Sequence, residues 1–127
     1  MYEHKLARPF HCPVTVTLEV LGGKWKVCLL YGLKHGLHRP SDLHRAVPSA
    51  SRRVLNQQLR ELERHGMVGK TVFPELPLRV EYYLTEAGQT LLGVIDAMAD
   101  WGETHGEAFR KKMAQQYSAN PAPQPTA

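Results

Sequence analysis

The sequence predicts a mainly helical α+β fold in which two short helices, joined by a tight turn, are followed by a two-stranded hairpin. Three observations predict it. Leu55, Leu59 and Leu62 recur at i, i+4 and i+7 behind Ser51, so the segment to about His65 reads as an amphipathic helix with one buried stripe. Pro48-Ser49-Ala50 separates that helix from a shorter one before it. Beyond Gly66, Val80, Tyr82 and Leu84 alternate with Glu81, Tyr83 and Thr85, the period of two of a half-buried strand.

The elements follow in order. Residues 1–11 carry no clear period and read as an arm. Cys12-Pro13 marks a helix start, because proline suits the first helical position, and Pro13–Leu21 reads as a short helix broken by Gly22-Gly23. Trp25–Lys34 is apolar nearly all round and is expected to be a buried helix at the centre of the core, ended by Gly36. Ser41 is expected to cap the next helix, with Asp42 in its first turn and Leu43, Ala46 and Val47 facing inward. Ser51 caps the following helix, and Gly66 suits its left-handed C-terminal position. Two short helices with a tight turn make a helix-turn-helix. Met67–Pro74 and Val80–Thr85 read as strands around Glu75-Leu76-Pro77-Leu78-Arg79, which makes a β-wing. Thr85 opens a last helix with an apolar stripe of Leu91, Leu92, Ile95, Met98 and Ala99 reaching Trp101. A helix this apolar is expected to pack on more than its own small domain. The domain is expected to span residues 1–112, with 113–127 a disordered proline-rich tail.

Composition narrows the function. The chain has 127 residues, enough for one core but not for a large enzyme with a separate substrate domain. No apolar stretch is long enough to span a bilayer and the N-terminus lacks a signal-like apolar run, so a cytoplasmic location is expected. Cys12 and Cys28 form no paired motif, and the seven histidines show no ligand spacing, so no metal and no cofactor are expected. The net charge is +4, and its distribution says more than its size. Between Lys34 and Val80 nine basic residues face four acidic ones, whereas the rest of the chain is slightly acidic. A concentrated basic patch attracts duplex DNA and releases counterions on binding.

At this point the residues resemble a known family. Cys12-Pro13-Val14, Gly22-Gly23-Lys24-Trp25-Lys26, Gln57-Gln58-Leu59-Arg60-Glu61-Leu62-Glu63, Gly66-Met67-Val68, Val80-Glu81-Tyr82-Tyr83-Leu84-Thr85-Glu86-Ala87-Gly88 and Trp101-Gly102 stand in the order and spacing of HxlR-type regulators. These are a MarR-related branch of winged helix-turn-helix transcription regulators, and the resemblance covers roughly residues 12–102. Pro40, Ala50 and Leu78 depart from the family pattern, standing where it usually has an aromatic residue, a glycine and a second proline. The resemblance implies a homodimer built by N- and C-terminal dimerisation helices, with two recognition helices on a pseudo-palindromic operator.

On that fold the face of Ser51–His65 opposite the leucine stripe carries Arg52, Arg53, Asn56, Gln57 and Arg60. Arginine suits guanine, and asparagine or glutamine suits adenine. Two arginines in a first turn meet an unfavourable macrodipole of up to about 1 kcal/mol, which DNA would offset. Ser51 is expected to serve as cap and phosphate donor. Arg79 is expected at the wing tip, and Arg39, Lys70 and Arg45 as phosphate contacts, with Lys24 and Lys26 as further candidates. Gln58 lies toward the buried side. A thiol at a helix start, like Cys12, feels the positive end of the dipole. By resemblance Cys12 is a candidate sensor of oxidants or electrophiles, and the alternative is a small residue at the dimer seam without chemistry. Cys28, amid Val27, Leu29 and Leu30, reads as an inert core residue. The expected partners are double-stranded DNA, a second copy and an oxidant or small-molecule effector. A winged-helix module that binds protein rather than DNA is the alternative, against which the basic patch counts. No nucleophile elbow or phosphate loop marks an enzyme.

Overall fold

The computed structural model describes residues 12–119. The expected arm and the last eight residues of the expected tail lie outside them. The chain divides into two units, one reaching Leu92 and one starting at Gly93.

In the first unit, α1 (Pro13–Leu21) starts on a proline at its first position and ends at Gly22. It is followed by α2 (Lys26–Lys34), α3 (Pro40–Ala46) and α4 (Arg52–Arg64). The core is built from Leu29, Leu30 and Leu33 of α2, Leu43 of α3, and Leu55, Leu59 and Leu62 of α4, all 4% exposed or less. The leucine stripe read from the sequence is therefore the buried face of α4. Ser51 caps this helix by accepting a hydrogen bond from the Val54 N–H at 3.1 Å. Gly66 follows with φ +78°, a conformation that glycine adopts without penalty.

Three local expectations need correction. Ser41 is not the cap of α3: Arg39 occupies that position and Pro40 is the first helical residue, because a proline lacks the N–H that is orphaned there anyway. Ala46 is exposed, and Ala50 in the turn is buried in its place. The helix α2 is not buried all round, since Cys28 and Tyr31 on its outer side are exposed.

The wing consists of β1 (Val68–Phe73) and β2 (Arg79–Leu84), paired antiparallel from Val68↔Leu84 to Phe73↔Arg79. The connecting residues include a cis Leu76–Pro77 peptide. His38 joins the outer edge of β2: the Tyr82 N–H donates to its carbonyl at 2.8 Å, and its Nδ1 lies 3.0 Å from the Tyr82 carbonyl. Thr85 closes the unit. Its hydroxyl donates to the Gly66 carbonyl at 2.6 Å and accepts from the Gly88 N–H at 3.0 Å, capping α5 (Glu86–Gln89). A Cβ on Gly88 would lie 2.0 Å from the Met67 carbonyl oxygen, so only glycine lets α5 approach the start of β1.

The expected last helix is two helices. After Gln89 the Thr90 hydroxyl bonds back to the Ala87 carbonyl, the local competition that threonine offers a continuing helix. The second unit is dominated by α6 (Leu92–Ala119), which exposes Val94, Met98, Trp101, Phe109 and Tyr117. It runs seven residues into the segment expected as tail. Met113, Ala114, Gln115 and Gln116 are good helix formers, and no proline intervenes before Pro121. Among the described residues no helix is long and apolar enough to cross a membrane.

Candidate nucleic-acid interface

The outer face of α4 is built by the same periodicity that buries its leucines. With Leu55, Leu59 and Leu62 inward, Ser51, Arg52, Arg53, Asn56, Gln57 and Arg60 are all exposed. The structure thus brings together six of the nine candidate DNA-binding residues on one helix face. Among the described residues no ion pair engages Arg52, Arg53 or Arg60. Three guanidinium groups without a counter-charge on one helix leave their donors to water or to a ligand rich in acceptors. Arg52 and Asn56 also line a recess of about 90 Å³ with Ser41 and His44 of α3. The proline-at-first-position rule places Ser41 one step inside α3, on the side that meets α4 at this recess.

The other basic candidates stand differently. Arg39 lies 3.8 Å from Glu81, and Lys70 3.7 Å from Glu63. Arg45 pairs with Asp42 on its own helix. Arg79 is only a quarter exposed. It donates to Glu75 at 3.1 and 3.2 Å and to Glu81, and its guanidinium lies 3.6 Å over the Phe73 ring. Glu75, Arg79's hydrogen-bonded neighbour, has its carboxyl held below the usual range, and Arg79 is held above its own. Lys24 stays exposed, 5.0 Å from the centre of the Trp25 ring.

Lys26 requires a correction. It is 3% exposed and its ammonium sits 2.6 Å from Glu61, so it is an interior tie between α2 and α4 rather than a contact for phosphate. It opens a helix whose Leu29, Leu30 and Leu33 lie in the core, and it is itself buried with them, so its methylene stem is covered and its charge needs a partner. That hydrogen bond from Lys26 is the main reason the Glu61 carboxyl is held below the usual carboxylate range. Gln58 makes a second tie: its Oε1 accepts from the Trp25 N–H at 2.9 Å. Its exclusion from the DNA-facing set fits this inward bond.

Cys12 is the N-cap residue of α1 and half-buried. The neutral thiol makes no capping bond. The Thr15 backbone N–H foremost, then its hydroxyl and the Val14 N–H, favour the thiolate and lower the pKa of the group from its ordinary value. Cys28 is exposed on α2, contrary to the reading of an inert core residue. The helix is only nine residues long and its inner side is filled by Leu29, Leu30 and Leu33, so position 28 rolls outward.

A helix-turn-helix with an outward cationic helix and a β-wing is the architecture of a winged-helix, DNA-binding transcription regulator. Comparison with known proteins agrees. The sequence model of the HxlR-like helix-turn-helix family matches residues 20–110, and the chain belongs to that family. It is similar to the HTH-type transcriptional regulator YdeP of Bacillus subtilis, 46% identical over 100 residues that cover 79% of this chain and 78% of the relative. It is also similar to YtcD of the same organism, 43% identical over 98 residues that cover 77% and 78%. Among solved structures, the redox regulator HypR in its reduced form superposes with a TM-score of 0.73 at 42% identity, covering 79% of this chain and 99% of that one. The chain is a transcription regulator of this family and not an enzyme.

Proposed function

We propose that this regulator binds a pseudo-palindromic DNA operator as a homodimer, and that modification of Cys12 changes its grip. The observation that carries the DNA reading is the outer face of α4, where Arg52, Arg53, Asn56, Gln57 and Arg60 are exposed together and its arginines have no ion pair among the described residues. In a major groove the first turns of such a helix reach base edges. Arg52 and Arg53 suit guanine, and Asn56 and Gln57 suit adenine. Ser51 at the helix N-terminus and Arg60 further along serve the phosphates, and Arg39 and Lys70 reach the backbone only by exchanging their glutamate partners for it.

Each unit supports the dimer separately. The α1 helix exposes Val14, Val16 and Leu18, and α6 exposes Val94, Met98, Trp101, Phe109 and Tyr117. Apolar faces of this kind on helices seek cover, and a second copy supplies it symmetrically. Cys12 stands at the start of α1, so a bulky or charged adduct on its sulfur perturbs a helix of that apolar face. The lowered pKa of Cys12 and the likeness to a redox regulator support the sensing role.

The test is binding to a duplex spanning the intergenic region upstream of the regulator's own gene, before and after treatment with diamide or a quinone, using the wild type, Cys12→Ser and Arg53→Ala. The expected result is binding that treatment alters in the wild type but not in Cys12→Ser. Arg53→Ala should weaken binding and lower the slope of log affinity against log salt by about one. Absence of binding at low salt sinks the DNA reading, and an identical response of wild type and Cys12→Ser sinks the sensor.

A further inference from the structure

The wing tip differs chemically from the face of α4. Its two leucines stand out from the fold, Leu76 100% and Leu78 64% exposed. Behind them the arginine of the hairpin is enclosed: Arg79 is bound by Glu75 and Glu81 and lies over Phe73, and Glu81 also meets Arg39. Two arginines and two glutamates cancel, so the base of the wing is a neutral network. Such a network holds the tip in one direction and offers phosphates little net charge. The tip and the start of α3 share a recess of about 460 Å³ lined by Arg39, Pro40, Ser41 and Leu78 among others, which places it beside the helix-turn-helix.

We propose that the wing reads DNA through Leu76 and Leu78, which pack into the minor groove of A·T pairs flanking the site held by α4, with Arg79 as a positioning residue that aims them. The inference rests on the DNA reading above. A minor groove about 6 Å wide admits a hairpin tip but not a helix. Its floor at A·T pairs shows only the N3 and O2 acceptors, whereas guanine adds a 2-amino group that projects into the groove. Apolar side chains therefore lie closer to A·T pairs, and can wedge against their stacked edges. Two leucines cover far less than the roughly 800 Å² per partner of a stable protein interface. As an annex to a charged interface they need no such area.

The test selects binding sites from a randomised duplex pool with the wild type, then alters only the flanks of a selected site. Diaminopurine in place of adenine adds the minor-groove amine and leaves the major-groove edge intact, and inosine in place of guanine removes it. The wild type is expected to lose about tenfold in affinity with flanking diaminopurine, the scale of one leucine's burial. It should regain that affinity when inosine replaces guanine in G·C flanks. Leu76→Ser/Leu78→Ser should bind the same central site with flank discrimination within about twofold and an unchanged salt slope. Arg79→Ala should blur the flank preference, also without a change of slope. The proposal is overturned if the double variant discriminates flanks as the wild type does, whether or not its oligomeric state changes in sedimentation. It is equally overturned if Arg79→Ala lowers the salt slope by about one, the mark of a direct phosphate contact. Failure of the wild type to select any duplex at low salt overturns the DNA reading itself, together with the wing's part in it.

Discussion

Removing Glu61 should damage this protein far more than removing the lysine it pairs with. Lys26 is 3% exposed and Glu61 29% exposed, with 2.6 Å between the charged atoms. Glu61→Ala leaves a buried ammonium with no counter-charge, a change that costs about 3–5 kcal/mol in comparable pairs. Alanine is the best helix former, so none of the loss comes from the propensity of α4. Lys26→Met keeps the volume and leaves a carboxylate that water can still reach, so its cost should stay at about 1 kcal/mol or below. For a domain near 100 residues, at matched protein concentration, these figures mean a Tm lower by on the order of 15 °C for Glu61→Ala and by no more than about 8 °C for Lys26→Met. The pH dependence has a definite sign. The Glu61 carboxyl pKa is lowered in the folded protein, mainly by the hydrogen bond from Lys26. Its stabilisation is therefore complete above the unfolded glutamate pKa of about 4.3 and fades as pH falls through the lower folded value. Thermal melts of wild type and Glu61→Ala should differ most near neutrality and converge in acid. Equal destabilisation by the two substitutions, or a gap that persists unchanged in acid, would refute the reasoning.

Three further predictions are independent of this pair. Gly88→Ala should destabilise by about 1–3 kcal/mol in denaturant melts, because the new methyl meets the Met67 carbonyl oxygen 2.0 Å away and α5 or β1 must shift. Ser51→Asp should leave the melting temperature nearly unchanged, since aspartate caps as well as serine, yet weaken duplex binding by about tenfold or more through repulsion of phosphates; Ser51→Ala should lower stability by about 1 kcal/mol. Both are read by melts and filter binding on the same preparations. Alkylation of Cys12 by iodoacetamide should rise with pH at a midpoint below that of an ordinary thiol, and Thr15→Val should move that midpoint up by removing the hydroxyl donor.

The parts of the fold legible in the sequence are those decided within a few residues. Ser51 and Gly66 bound α4, the leucine stripe sets its roll, and the roll alone exposes Arg52, Arg53, Asn56, Gln57 and Arg60. Thr85 and Glu86 mark the start of α5 for the same reason, since capping depends on groups two or three residues away. Most of the candidate interface is therefore legible in the sequence itself. Lys26 and Arg79 are not, although each looks in sequence like any basic residue near a basic patch. Lys26 meets Glu61 across 35 positions of chain, and Arg79 is enclosed by residues whose approach depends on the strand register. Cys28 was misplaced because an apolar run does not say which of its sides the neighbouring helices will cover. Local propensity and periodicity determined where the helices lie and how α4 turns. Which charges are cancelled, and which side of α2 stays open, was decided only when distant segments packed, because a charge is cancelled by whatever lies near it in space rather than in sequence.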